Sequence, residues 1–390
     1  MNAAQPGAAA RPCCSRSICN PRQSKEKEKK EAAQKTAAAF AQLLLWSVDF
    51  SRNRKGLSLA AIEKERIQIM EKTGRRNKTP IVELILLGFG NGPELQPLLF
   101  LLFLMIYIVA VAANLLIVVL VVADVHLHTP MYYFVANLST VEICYVSTTL
   151  PRLIGSLATG DRNISLQNCF VQFDFYIIFA NAESLLLTAM CIDRYLAICH
   201  PLRYPALMNG RVCCHMVASA WIFGISYTIM LQIFFLQLTY CGPKEIDLLF
   251  CDFGSVNGPF CGAFTKTIQL LTFAFSIILN VGIFLLTLTS YISIIINILR
   301  IPSSTGRQKT FSTCSSHLIV VSVFYVSVLT VYAVSAINPL PIFHKIMSVW
   351  FLVLVPLLNP VLYCLRNKEV QQSLRKALLT LAAFRHRHGV

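Results

Sequence analysis

The run Met190-Cys191-Ile192-Asp193-Arg194-Tyr195-Leu196-Ala197-Ile198-Cys199 carries the residues with most chemistry to offer. It sets a carboxylate beside a guanidinium at the end of a long apolar stretch. Either charge costs ~2.5–3.5 kcal/mol at the centre of a membrane-spanning helix, so a chain that keeps them near one uses them. At a helix end Arg194 can reach water or a partner protein. Four further polar groups, Asn114, Glu142, Glu183 and Asn359, fall inside four different apolar stretches. Unpaired they would be expensive in lipid, which predicts that they face one another or a hydrated cavity.

The elements that must position these groups follow from composition. Of 390 residues, 55% are hydrophobic and 14% charged, against about 25% charged in a soluble domain. About 20 apolar residues cross a bilayer core, and seven stretches qualify: 97–122, 131–153, 170–198, 212–237, 267–299, 312–336 and 345–365. Only helices and closed barrels satisfy their backbone in lipid. Continuous runs such as Leu98–Met105 and Ser293–Leu299 lack the alternation of barrel strands. The fold class predicted is an all-α membrane protein, a seven-transmembrane helix bundle in the plasma membrane. Twelve Lys and Arg residues between Arg194 and Arg387 fall on one side of the spans and five on the other. The positive-inside rule then puts the C-terminus in the cytoplasm and the N-terminus outside. After the last span, Arg366–Leu381 is amphipathic and predicts a short interfacial helix within a cytoplasmic tail, 366–390.

Residues 1–80 hold 17 of the 34 basic residues and 7 of the 19 acidic ones. Runs such as Lys25-Glu26-Lys27-Glu28-Lys29-Lys30 predict a solvated, disordered segment rather than a nucleic-acid surface. A basic outer tail conflicts with the orientation above. The expectation is that residues 1–69 extend the gene beyond a start at Met70, leaving an outer tail, 70–96, and a seven-span domain, 97–365. The tail then carries the glycosylation acceptor Asn77, and Asn163 is a second acceptor in the first outer loop. Four cysteines, Cys169, Cys241, Cys251 and Cys261, lie on the outer side. An even number in an oxidising compartment predicts two bridges, with three pairings open, and a long outer loop tied down as a lid. Gly88-Phe89-Gly90-Asn91-Gly92 is glycine-rich but is expected to follow no strand and to form a juxtamembrane loop.

Several runs resemble the vertebrate olfactory receptors, a branch of the class A G-protein-coupled receptors. They are Leu84–Phe89, Leu127-His128-Thr129-Pro130-Met131-Tyr132-Tyr133-Phe134, Met190–Cys199, Ser290-Tyr291, Lys309–His317 and Asn359-Pro360-Val361-Leu362-Tyr363. The likeness runs from about Ile81 to Ala377. It implies bridges Cys169–Cys251 and Cys241–Cys261. It implies an activation switch of Asp193, Arg194, Tyr195, Tyr291, Asn359, Pro360 and Tyr363, and an intramembrane polar site of Asn114, Glu142 and Glu183 able to share a proton or a sodium ion. The chain departs from the family at Ala113, Ile192 and Val326, which touches coupling and pocket shape.

The ligand site is expected in the outer half of the bundle. Phe173, Tyr176, Ile177, Ala180, Asn181 and Ser184 share one helical face by their spacing. Counting from the family's motifs, Phe275, Ser276 and Leu279 of the fifth span face them, with Tyr325, Val328, Leu329 and Tyr332 of the sixth and Phe253 of the lid. A mostly apolar lining with a few hydroxyls suits a small, volatile, weakly polar ligand. Tyr176 stands where aminergic receptors hold an acid, and Asp174 points to another face, so an amine ligand is disfavoured. The resemblance implies signalling to a heterotrimeric G protein of the stimulatory class and adenylyl cyclase. The alternatives are a class A receptor for a non-odorant metabolite and a non-signalling pseudoreceptor. No His-Glu-x-x-His motif or phosphate loop with Lys supports an enzyme, no metal ligands cluster around His126, His128 and His317, and no internal repeat supports a transporter.

Overall fold

The computed structural model describes residues 83–388 apart from 91, 93, 236–238, 253–259, 262–264, 338–340 and 367. The expectations for residues 1–69, Asn77 and Phe253 lie outside the described residues. The described residues open with a strand, β1 (Glu83–Leu86), and continue into α1 (Gln96–Ala123) and α2 (Pro130–Thr159). Strand β2 (Asn163–Ser165) leads into α3 (Leu166–Cys199); a one-turn helix, Tyr204–Leu207, precedes α4 (Gly210–Phe235). The long outer loop holds β3 (Thr239–Tyr240), β4 (Glu245–Ile246) and β5 (Phe260–Cys261). Then come α5 (Thr265–Leu299), α6 (Ser304–Ile337), α7 (Pro341–Val349), a π-helical stretch Trp350–Leu354, α8 (Val355–Arg366) and α9 (Lys368–His388).

Helix ends follow local chemistry. Pro97 and Pro130 sit in first turns, where a missing N–H costs no helical bond. The Ser165 hydroxyl accepts from Asn168 N at 3.1 Å to open α3, and Asn209 Oδ1 accepts from Arg211 N and Val212 N to open α4. Gly160 ends α2 with φ +74°, a left-handed conformation that an L side chain resists.

Among the described residues, α1, α3, α4, α5 and the stretch Lys345–Leu362 are long and apolar enough to cross a membrane. The apolar stretch of α6 among them is His317–Thr330, and α2 is diluted by Asn137, Glu142 and Arg152. Together α1 to α6 and the α7–α8 rod form the seven-helix bundle. Each span turns one stripe inward. On α1 the inward stripe is Phe103, Ala110, Asn114, Ile117, Leu120 and Val121, while Leu98, Leu101, Met105 and Ile108 face out. Outward aliphatics cost nothing in lipid; close packing holds the helices together. Gly224 shows this: a Cβ there would stand 2.7 Å from the Ile178 carbonyl oxygen of α3, so α4 and α3 meet backbone to backbone.

The outer cap differs from the sequence expectation. Strand β1 pairs antiparallel with β2 (Leu84 opposite Ile164) and parallel with β4 (Leu86 opposite Ile246), giving a sheet in the order β2-β1-β4. The glycine-rich run therefore does follow a strand, a correction to the sequence expectation. Gly88 and Gly90 take φ +62° and +93° to turn the chain toward α1, and the Gly90 carbonyl accepts from Arg162 at 3.0 Å. Hydropathy missed this strand because both its partners lie far along the chain. The last span runs as one helical rod, as expected, with a π turn at Trp350–Leu354 set within it.

Candidate functional site

The outer bridge Cys169–Cys251 is formed, with Cα atoms 5.3 Å apart. Cys241 is disulfide-bonded; the side chain of its expected partner, Cys261, lies outside the described ones, though the Cys261 backbone pairs with Thr239. The Cys169–Cys251 bridge fastens the lid to α3, and Gln172 reinforces it. Its Nε2 donates to Thr148 O at 3.1 Å while its Oε1 accepts from Cys251 N at 3.0 Å. The acceptor Asn163 is exposed on β2.

So anchored, the lid dips into the bundle. Leu249 and Phe250 are buried in the main core, and the Phe250 ring lies 5.4 Å from Tyr176 of α3. Tyr176 meets Tyr145 of α2 at 5.6 Å; Tyr145 meets Phe351 of the π turn edge-on at 5.8 Å; and Phe351 reaches Phe324 of α6 at 5.9 Å. Phe324 and Phe284 both pack on Tyr325, at 5.3 and 5.0 Å. These contacts join α2, α3, the lid, α6 and the seventh span in one aromatic cluster.

The predicted lining residues divide between two places. Tyr176 and Tyr325 belong to this cluster, and Val328 packs against the same core. Phe173 instead packs with Tyr227, Leu231 and Phe235 of α4, with Ile177 and Leu279 against them. There Ser276 shares a hydrogen bond with the Tyr227 hydroxyl at 2.5 Å, and Phe275 stacks on Tyr227 at 6.0 Å while remaining 40% exposed. Ala180 is half-buried. Asn181 directs its amide to the Ile177 carbonyl at 2.8 Å, within its own helix. Leu329 is 47% exposed and joins neither cluster. The Tyr332 side chain lies outside the described ones. Asp174 accepts from Gln232 of α4 at 2.5 Å, turned away from Tyr176. Val326, the departure from the family's usual glycine, is 61% exposed and so faces away from the core. Sequence reasoning missed Tyr145, Phe250 and Phe351. A signal for Tyr145 was present, because it lies three residues past Glu142 on the same helical face.

The intramembrane polar residues lie on α1, α2, α3 and α8, and three of them, Asn359, Glu142 and Glu183, act on one another. Asn359 Nδ2 donates to Glu142 Oε1. Asn114 Nδ2 donates to Ala110 O and, across to α8, to Pro356 O, both at 3.0 Å. The Glu142 and Glu183 carboxyl groups are near enough to act on each other directly. Glu142 Oε2, Glu183 Oε1, Asn114 Oδ1 and Ser184 Oγ are buried oxygens without a hydrogen-bond partner. Two such carboxyl groups need a proton between them or a cation, and carboxylate oxygens fit a small hard cation such as sodium. Deeper still, Thr188, Thr287 and Tyr325 link α3, α5 and α6 through hydroxyl contacts of 3.0 and 3.3 Å.

At the inner end, Arg194 Nε and Nη2 donate to Asp193 Oδ2 at 2.9 and 2.5 Å. Tyr204, on the one-turn helix of the following loop, donates to Asp193 Oδ1 at 2.8 Å. Burial, and then that hydrogen bond, hold the Tyr204 phenol well above its ordinary range. Tyr291 bonds to His317 Nδ1 across α5 and α6. Tyr195 contacts His200 at 3.3 Å instead of joining this group. Pro360 sits inside α8, and the Tyr363 side chain lies outside the described ones. A second inner set, unforeseen from the sequence, docks α9: Tyr132 donates to Glu369 Oε2 at 2.8 Å. Asp124 accepts from His126 N and Nδ1 at 3.1 and 2.8 Å. Those bonds, helped by Ser373 and Lys376 of α9, hold the Asp124 carboxyl down at about 2.

Comparison with known proteins places this geometry. The olfactory receptor family model matches residues 103–381. Human olfactory receptor 10C1 is 43% identical over 302 residues, covering 77% of this chain and 96% of that receptor. Human olfactory receptor OR9H1 is 42% identical over 311 residues, covering 78% and 99%. Squid rhodopsin superposes with a TM-score of 0.59 at 16% identity, over 75% of this chain and 87% of that one, a likeness of fold. The chain therefore belongs to the olfactory receptor family of G-protein-coupled receptors, multi-pass proteins of the plasma membrane that form a family of odorant-sensing receptors and not of enzymes.

Proposed function

We propose that this receptor binds small, mostly apolar odorants in the outer half of its bundle and signals to a stimulatory, olfactory-type G protein and adenylyl cyclase. The observation that carries this is the closed inner lock, in which Asp193 holds Arg194 and is itself held by Tyr204. A buried carboxylate with three charge-assisted or hydroxyl bonds keeps Arg194 engaged. Ligand binding that favours parted helices would release Arg194 to the G protein, with Tyr291 rearranging beside it. A ligand shifts that balance only by binding the two arrangements unequally. The aromatic cluster around Tyr176 and Tyr325 supplies apolar surface with few polar groups, which suits a weakly polar ligand.

In this scheme residues 70–96 form an outer tail, 97–365 the receptor domain and 366–390 an inner tail on the cytoplasmic leaflet. Glu142, Glu183 and Asn114 would hold a sodium ion or a shared proton in the resting arrangement, supplying charge balance for two buried carboxyls. The test is a cyclic-AMP reporter assay with an odorant panel. Arg194→Ala is expected to abolish the response while surface expression persists. A normally signalling Arg194→Ala protein would sink the assigned switch.

A further inference from the structure

Lys345 is the one Lys or Arg among the described residues that is buried, at 7% exposure. It lies at the outer end of the seventh span. Ser348, one turn on, is buried with it, whereas Ile346 and Trp350 are 51% and 50% exposed, so Lys345 is on the inward face of α7. A buried ammonium group needs an anion. Here it is Asp247 of the lid, bonded to Lys345 Nζ across 98 residues of sequence. Asp247 directly follows β4 and precedes Cys251 by four residues. The lid is therefore tied to α3 on one side by the disulfide and to α7 on the other by charge. Between the two ties, Phe250 descends onto Tyr176.

We propose that Asp247 is a built-in counter-anion that makes the receptor reject carboxylic acids. Lys345, on the rod that carries Phe351, is an anion site, and Asp247, on the lid that carries Phe250, occupies it. A ligand carboxylate reaching the cluster finds the buried cation of the described residues already paired and is left desolvated, which costs it affinity. A neutral alcohol, aldehyde or ester suffers no such cost. The pair is thus a specificity determinant, and removing the lid carboxylate should convert the site from neutral ligands toward acids. This rests on the outer half of the bundle being the ligand site.

The test uses the full chain purified in lipid nanodiscs, with straight-chain carboxylates from acetate to octanoate and the matching alcohols as probes. The readout is thermal unfolding, which needs no G protein. Asp247→Asn should be stabilised by at least one acid by about 3 °C more than by its matching alcohol. Wild type should show no such preference, and Asp247→Asn/Lys345→Met should lose it. Should the freed cation prevent Asp247→Asn from folding, octanoate or a shorter acid in the culture medium should restore its delivery to the surface. An acid preference that survives Lys345→Met, the absence of any preference in folded Asp247→Asn, or the absence of rescue in an unfolded one overturns the proposal. Failure of coupling in the reporter assay would leave these unfolding results standing, so the two ideas fail separately.

Discussion

At the outer end of the bundle the chain is fastened by a disulfide, two small backbone sheets and the ion pair between buried Lys345 and half-exposed Asp247. At the inner end, among the described residues, the helices meet through side-chain bonds: Asp193 with Arg194 and Tyr204, Tyr291 with His317, and Tyr132 with Glu369. The disulfide and the backbone ladders of the first set are made once, during folding, and the ion pair is a side-chain bond laid over them. Each bond of the second set contributes on the order of 1 kcal/mol net, so it can be broken and remade at thermal cost. A rigid cap over a loosely latched base suits a protein whose outer end must keep a shaped site while its inner end opens.

Damage at the two ends should therefore read out differently. The largest effect is expected from Cys251→Ser, since losing a bridge that closes a long loop costs ~2–5 kcal/mol; flow cytometry of surface receptor should fall to background. Surface levels near wild type would show that the sheets and the ion pair hold the cap unaided. Next comes Gly224→Ala, whose new methyl would collide with the Ile178 carbonyl. At ~1–3 kcal/mol for overpacking, it should lower the thermal midpoint of purified receptor without changing ligand rank order. Tyr204→Phe removes one bond from a buried carboxylate, worth ~1–3 kcal/mol. Because this weakens the lock on Arg194 and not the fold, basal cyclic AMP should rise at unchanged surface expression. A fall in expression with unchanged basal signal would erase the contrast between the two ends.

The smallest effect belongs to Asp124. Its carboxyl lies near 2, below the ordinary 3.8, because His126 bonds favour its charged form. A depressed acid contributes stability above its ordinary value and loses it as pH falls through the folded one. The contribution to the turn at Val125–Leu127, which these bonds cap, should be flat from pH 7 to about 4 and decline between about 4 and 2. Hydrogen exchange of the His126 amide should show that decline in wild type and lack it in Asp124→Asn.

Sequence alone made the spans legible, because twenty apolar residues in lipid leave a helix little alternative. It also marked Glu142, Glu183, Asn114 and Asn359 as polar groups at membrane depth that need partners; Asn359 meets Glu142, while Asn114 meets the carbonyls of Ala110 and Pro356. What stayed hidden depends on distant pairing or on fine rotation about a helix axis. Strand β1 has no meaning until β2 and β4 exist beside it. Lys345 reads as an ordinary loop-end lysine until Asp247 is brought to it. Leu329 was one helical step from Val328 in the expected lining, yet that step turns it outward. The π turn at Trp350–Leu354 shifts Phe351 to face Tyr145, and no periodicity of 3.6 anticipates such a turn.

Strand β1 also constrains biosynthesis. Glu83–Leu86 leaves the ribosome before either partner, and its second partner, Glu245–Ile246, is made only after α4. The leading segment gains β2 after two helices and β4 only after four, so its sheet stays incomplete until then. Closure of the sheet is thus a late event that reports on the completeness of everything threaded in between, and a nascent chain stalled before Ile246 would display greasy residues for chaperones to grip.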